Sequence, residues 1–285
     1  MKPPPNPRIT IVTPSYNQGE FVESTIRSIF DQRYDNLEYI FMDGGSTDST
    51  LERITPYMDR FAHFESGPDG GQSAAIAKGF DRSSGEIMAY LNSDDVLLPG
   101  TLNFVANYFR ENPEIDFVYG HRCIINETNE VIGHWILPPH SSFLMRRWDL
   151  IPQESCFWRR RLFEQKGNVD PSYRFAMDYD LFVRYMDGGR FQRVNRFLAA
   201  FRIHDTAKTS TLLNSVGYEE VARIYQQYRI QPIPLLGRLF PLSVRLRSAW
   251  YLRRRLSYPG LPPSWGFKWD ELWGANQSSS ASKER

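Results

Sequence analysis

A short β-branched run, Ile9-Thr10-Ile11-Val12-Thr13, stops at Pro14, and apolar residues then follow at helical spacing (Phe21, Ile26, Ile29, Phe30) between Gly19 and Gln32. A strand that is apolar along most of its length is covered on both faces, the habit of parallel sheets. The unit then repeats. Leu37 to Met42 is a second strand, stopped by Asp43-Gly44-Gly45, and Ser46 or Asp48 can cap a helix running to about Ala62. A short strand near His63 to Ser66, a turn cluster at Gly67-Pro68-Asp69-Gly70-Gly71, a helix from Gln72 to Arg82 and a strand from Glu86 to Leu91 complete the series. Strands alternating with helices through short loops predict an α/β fold: a mostly parallel central sheet flanked by helices. Ligands of such sheets collect beyond the carboxyl ends of the strands. Three polar clusters fall at those ends: Thr13-Pro14-Ser15-Tyr16-Asn17, Asp43-Gly44-Gly45-Ser46 and Asn92-Ser93-Asp94-Asp95.

Beyond Asp95 the pattern changes. A helix is expected from about Gly100 to Asn112, a strand from Asp116 to Tyr119, and a hairpin over Arg122 to Trp135 turning at Glu127-Thr128-Asn129. Pro138 to Pro152 reads as irregular. Arg159 to Lys166 and Tyr179 to Met186 read as helices, Phe191 to Phe201 as a strand, and the chain from about Asn214 as helical. The domain reading is a flexible leader at 1–7, a nucleotide-binding half at 8–99, an acceptor half at 100–210, a helical region at 211–275 and a disordered tail at 276–285.

Bulk charge excludes one class of partner. Lys+Arg is 34 against Asp+Glu 33, a net charge of +1, which gives no footprint for nucleic acid. The two cysteines, Cys123 and Cys156, make neither a metal pair nor a disulfide framework. The start lacks an apolar signal segment, and no run of about 18 or more apolar residues exists, so a cytoplasmic protein is expected. Residues 235–256 mix Leu, Phe and Trp with six arginines. They could lie on an anionic membrane surface as an amphipathic helix, or pack on the domain as a basic helix; Pro241 is expected to interrupt a continuous helix there.

The three clusters, with Asp43-Gly44-Gly45-Ser46-Thr47-Asp48 read in full and a later Ala176-Met177-Asp178-Tyr179-Asp180-Leu181, resemble glycosyltransferase family 2 in order and spacing over about residues 8 to 210. The resemblance implies a GT-A fold, a nucleoside-diphosphate-sugar donor, a divalent cation and an inverting transfer to an acceptor hydroxyl of a glycan or lipid-linked glycan. Uridine diphosphate is the carrier it favours. The chain departs from the family pattern at Asn92, where the metal motif usually begins with Asp, at Ala74 and Ala77, and at Met177. Those departures sustain an alternative, a non-catalytic relative that binds nucleotide sugars or regulates a partner.

The residues can be given roles on that basis. A diphosphate wants a hard cation with oxygen ligands, Mg²⁺ or Mn²⁺, and one or two carboxylates suffice to hold it. Asp94 is the expected ligand, Asp95 a further ligand candidate, and Asn92 and Ser93 lie on the nucleotide side. The resemblance places Asp43 on the nucleobase, lines the base pocket with Thr13, Pro14 and the flat face of Tyr16, and adds Asp69 and Lys78. It also brings His204 to the metal or diphosphate, with Lys208 near the leaving phosphate. Asp178 and Asp180 stand two helical steps apart, about 200°, and cannot face one site. One is expected to cap the helix. By the motif Asp178 is the general base. Trp135, Phe143, Trp148 and Trp158 could form an acceptor platform or fill the core.

Two other nucleotide folds are excluded. The loop after the first strand, Pro14-Ser15-Tyr16-Asn17-Gln18-Gly19, is not the Gly-x-Gly-x-x-Gly of a dinucleotide-binding fold, and no Gly-x-x-x-x-Gly-Lys-Ser/Thr phosphate loop occurs.

Overall fold

The structure, a computed structural model, describes residues 6–205, 207 and 213–253. Strands β1 (Ile9–Ser15), β2 (Leu37–Asp43), β3 (His63–Ser66) and β4 (Ile87–Tyr90) alternate with helices α1 (Val22–Phe30), α2 (Thr50–Ile54) and α3 (Gln72–Asp81). They pair in parallel in the order β3-β2-β1-β4, with Ser15 opposite Asp43 at the carboxyl rim. Alternate residues separate to opposite faces, as strand geometry requires. Val12, Ile40 and Met42 join the core layer under α3, whereas Ile11, Tyr39 and Phe41 join the layer under α1. Helix α3 comes close to the sheet because Gly79 has no side chain: a Cβ there would lie 2.5 Å from Cγ1 of Val12.

The second half adds β5 (Val96–Leu97), α4 (Thr101–Glu111), β6 (Phe117–Ile125), β7 (Val131–Trp135), α5 (Ser142–Met145), β8 (Cys156–Arg159), α6 (Arg160–Lys166), α7 (Met177–Tyr185) and β9 (Phe191–Arg202). The sheet continues β4-β8-β6-β9-β5, with β7 on β6. Here it is mixed. β8 runs antiparallel to both β4 and β6, and β6 runs parallel to β9. Two further helices, α8 (Tyr218–Gln227) and α9 (Pro234–Arg253), follow a turn at Leu213–Gly217.

Several expectations change. The sheet is purely parallel only from β3 to β4, and β8 was not anticipated: Cys156–Arg159 is a four-residue strand whose apolar run, Cys156-Phe157-Trp158, is buried without alternation. The expected strand at Asp116 to Tyr119 and the first arm of the hairpin are one strand, β6. The helix expected to reach Ala62 stops at Ile54 and tightens into a 3-10 turn over Thr55–Arg60, where Pro56 has no N–H to give. Asp48, not Ser46, receives the N–H of Thr50 at 2.9 Å. Asn6 and Pro7, expected in a loose leader, are tied through their carbonyls to Asn36 Nδ2 (2.8 Å) and the Tyr34 hydroxyl (2.7 Å). Helix α9 runs through Pro241 without interruption. The proposed tail at 276–285 lies outside the described residues.

Candidate functional site

The first two rim clusters are stitched to each other. Asn17 (φ +51°) donates its N–H to Ser46 Oγ at 2.8 Å and accepts from Thr47 N at 2.8 Å, while Gly19 N binds Asp48 Oδ2 at 2.9 Å. Burial by itself would raise the Asp48 carboxyl, but donors from Thr50 and Gly19 outweigh it and hold it below the ordinary range. Tyr16 stands at the rim with 60% of its surface exposed, a ring face open for stacking. Pro14 is buried beneath it. Thr13 is a correction: it is fully buried, with its hydroxyl bound by Tyr39 at 3.1 Å, so only its backbone can line a pocket.

Asp43 is built into its loop. Its carboxylate is buried and occupied by its own loop, accepting from Gly45 N (3.1 Å), Ser46 N (3.0 Å) and the hydroxyls of Ser46 and Ser66. It sets the shape of the β2 rim, with three donors on Oδ2 and the Ser46 hydroxyl on Oδ1. Asp69 lies against that loop, 3.1 Å from where a Cβ on Gly44 would stand, and accepts the N–H of Gly71 at 2.7 Å. The Lys78 ammonium is held by Glu65 on β3, which also binds Arg82 at 3.1 Å in a partly exposed ion cluster.

The loop after β4 is held from several sides. Asn92 accepts from Gln72 Nε2 at 2.6 Å and donates to Gln153 Oε1 at 3.3 Å, so its amide braces the loop. Ser93 is buried beside it. Arg202, buried at the end of β9, donates to the Asp94 carbonyl (2.8 Å), the Asn126 carbonyl (2.8 Å) and Ser24 Oγ (3.1 Å), while its backbone N–H binds Asp95 Oδ1 at 3.0 Å. Two residues further on, buried His204 places Nε2 3.0 Å from Asp94 Oδ2. That is the spacing of two neighbouring ligands on an octahedral cation with bonds of about 2.1 Å. One carboxylate oxygen and one imidazole nitrogen suit Mn²⁺ and are compatible with Mg²⁺, and two protein ligands leave room for phosphate oxygens. Asp95 does not join them: no cluster of three metal-type ligands exists among the described residues, and Asp95 is turned into the protein onto Arg202. Burial, then the charge of Asp94, push its carboxyl well above the ordinary range. Lys208 lies outside the described residues.

Asp178 occupies the second position of α7 and Asp180 the fourth. Neither caps the helix, contrary to expectation. Asp180 is buried and clamps Arg184 at 2.8 Å and the Tyr228 hydroxyl at 2.7 Å. Asp178 is half-buried, accepts the Tyr179 N–H at 2.9 Å and keeps contact with solvent. Burial is the main reason its carboxyl is pushed up to about 6. The capping falls to Glu220 of α8, whose carboxylate takes the N–H groups of Arg174 (2.7 Å), Phe175 (2.9 Å) and Ala176 (2.8 Å). Glutamine in its place offers one acceptor oxygen and a clashing amide, so Glu220→Gln is expected to lower stability by about 2–3 kcal/mol, read by denaturant unfolding. A loss under about 0.5 kcal/mol would show the grip to be dispensable.

Between Asp94 and Asp178 lies a carboxylate that the sequence did not single out. Glu154 is buried, pairs with Arg122 at 3.5 Å, and is raised chiefly by burial, with Asp94 also acting on it; its charge in turn acts on Asp178. Asp149 joins the group. It is exposed at the surface; the surrounding protein and then the Asp178 charge push its carboxyl upward. Arg122 is wedged against Trp135, 3.9 Å from the ring centroid, so that face of Trp135 is covered. Trp158 is core, Trp148 packs on the core, and Phe143 is exposed with Arg147 over its ring.

Strand-end loops, a carboxylate–imidazole pair and a raised aspartate at one rim fit the resemblance, and comparison with known proteins decides the matter. The profile of glycosyl transferase family 2 matches residues 10–169. The chain belongs to this family. An uncharacterized glycosyltransferase of Mycobacterium tuberculosis is 33% identical over 184 residues, covering 62% of this chain and 68% of that one. One of Rickettsia typhi is 24% identical over 222 residues, 74% and 69% of the respective chains. Among solved structures, S. aureus TarS 1-349 in complex with UDP superposes with a TM-score of 0.59 at 15% identity, over 76% of this chain and 64% of that one. The mannosyltransferase PcManGT from Pyrobaculum calidifontis, in complex with GDP-Man and Mn²⁺, gives 0.59 at 17% identity over 97% and 75%. The fold is thus the GT-A fold of family 2 glycosyltransferases, and the chain spans less than two thirds of the TarS chain. Glycosyl transfer is the activity that the family carries.

Proposed function

We propose that this family 2 enzyme moves a sugar, with inversion, from a nucleoside-diphosphate sugar to a hydroxyl of a glycan or lipid-linked glycan. One observation carries the reading: buried Glu154 feels the charge of Asp94, which meets His204 at 3.0 Å, and in turn acts on the solvent-touching Asp178. Asp178 would take the acceptor proton as the acceptor oxygen attacks the anomeric carbon. The bond to the diphosphate then breaks and its electron pair leaves with the nucleoside diphosphate. Asp94 and His204 would hold a divalent cation, which would supply positive charge against that leaving group. Tyr16 would stack on the base, and the Asp43 and Asp69 loops would shape its pocket through their backbones. Uridine is the favoured base, consistent with TarS in complex with UDP; the mannosyltransferase carries GDP-Man instead.

Thermal unfolding with Mn²⁺ and each of UDP, GDP and dTDP tests the donor. A ligand at 100 times its dissociation constant stabilises by about 2.7 kcal/mol, so the true carrier gives the largest upward shift. A larger shift with GDP would reverse the assignment to uridine.

A further inference from the structure

Helix α9 carries two apolar faces. One is buried: Val244 and Ser248 pack inward, and Ser248 Oγ accepts the N–H of Ile136, just past β7, at 3.1 Å. The other is exposed. Leu239, Leu242, Leu246 and Trp250 stand at spacings of three, four and four and are between 47 and 62% exposed. At 100° per residue they fall within an arc of about 80°. The stripe lies opposite Val244 and Ser248, so packing on this domain does not account for its three leucines.

Charge tells what the stripe meets. From Val221 to Trp269 the chain has eight arginines and Lys268 and not one Asp or Glu. The remainder holds 25 Lys+Arg against 33 Asp+Glu, so a near-neutral protein is divided into an acidic body and a basic end. Arg245 is exposed next to Leu246. Leucines and a tryptophan on one face of an arginine-rich, acid-free helix are what an anionic bilayer surface holds, since the apolar stripe enters the headgroup boundary and the cations meet lipid phosphate. No helix among the described residues is long and apolar enough to cross a membrane, so α9 would lie along the surface.

We infer that α9 docks this enzyme onto an anionic lipid surface through Leu239, Leu242, Leu246 and Trp250. The inference is independent of the donor and of the base assigned to Asp178. It places the acceptor half, on whose β7 the helix packs, nearest the bilayer.

Vesicle flotation of the full chain tests it. Vesicles of phosphatidylcholine with about 30% phosphatidylglycerol should carry at least about tenfold more protein than phosphatidylcholine alone, and about 0.5 M salt should weaken that binding. Leu242→Ser/Leu246→Ser should reduce flotation at least about tenfold with the melting temperature and nucleotide-diphosphate release unchanged. Flotation indifferent to lipid charge overturns the proposal, as does a folded double variant that still floats. A wild type that is dimeric by light scattering, does not float, and becomes monomeric in the variant overturns it too, assigning the stripe to a second copy of the chain. If the variant fails to fold, the lipid-charge and salt dependence of the wild type decide alone.

Discussion

Asp178→Asn is expected to lower turnover by about 10²- to 10⁴-fold, the usual contribution of a positioned general base, while nucleotide binding stays at the wild-type level. Asparagine keeps the shape and the acceptor oxygen for the Tyr179 N–H, so what is removed is the capacity to accept a proton. A base works in its ionised form. With the carboxyl at about 6, wild-type kcat/KM should fall as pH drops through about 6, and the residual rate of the variant should lack that limb. Stability gives a second readout with a definite sign. The folded carboxyl is raised above its ordinary value near 4, so folding is penalised as pH rises from about 4 to about 6, and the penalty persists above. The variant should therefore melt higher than wild type at neutral pH and converge with it below about pH 4. Full turnover in Asp178→Asn would remove the base assignment, whatever the pH profile showed.

Asp94→Ala should abolish the gain in nucleotide affinity that Mn²⁺ confers on the wild type. Residues merely supporting a ligand already cost about 10- to 100-fold in metal affinity, and Asp94 would be one of two ligands, so the loss should reach at least that. His204→Ala should act in the same direction, and the double variant should lose little more than either single one, because the two side chains meet at 3.0 Å and would share one ion. Calorimetric titration of nucleoside diphosphate with and without Mn²⁺ reads all three. An undiminished Mn²⁺ effect in Asp94→Ala would move the cation elsewhere. Asp95→Ala would behave differently, costing folding stability first, since its buried carboxylate holds β9 by the Arg202 N–H.

The sequence by itself determined the alternating first half, β1 to β4, and the position of the polar loops at the carboxyl ends of its strands. Those features are local: period-two and period-3.6 spacing and turn residues such as Asp43-Gly44-Gly45 leave their mark within a dozen residues. It also separated Asp178 from Asp180, because two helical steps face different ways. Tertiary structure decided the rest. The Asp94–His204 pair spans 110 residues, Glu220 reaches back 44 to 46 residues to grip the segment before α7, and Arg202 crosses 178 residues to Ser24. Only the assembled sheet showed that Thr13 and Asp43 bond through their side-chain oxygens to their own protein, or that Glu154 and Asp149 stand by Asp178. Contacts of that range leave no periodic trace in the chain; they exist only once β4, β8, β6 and β9 lie side by side.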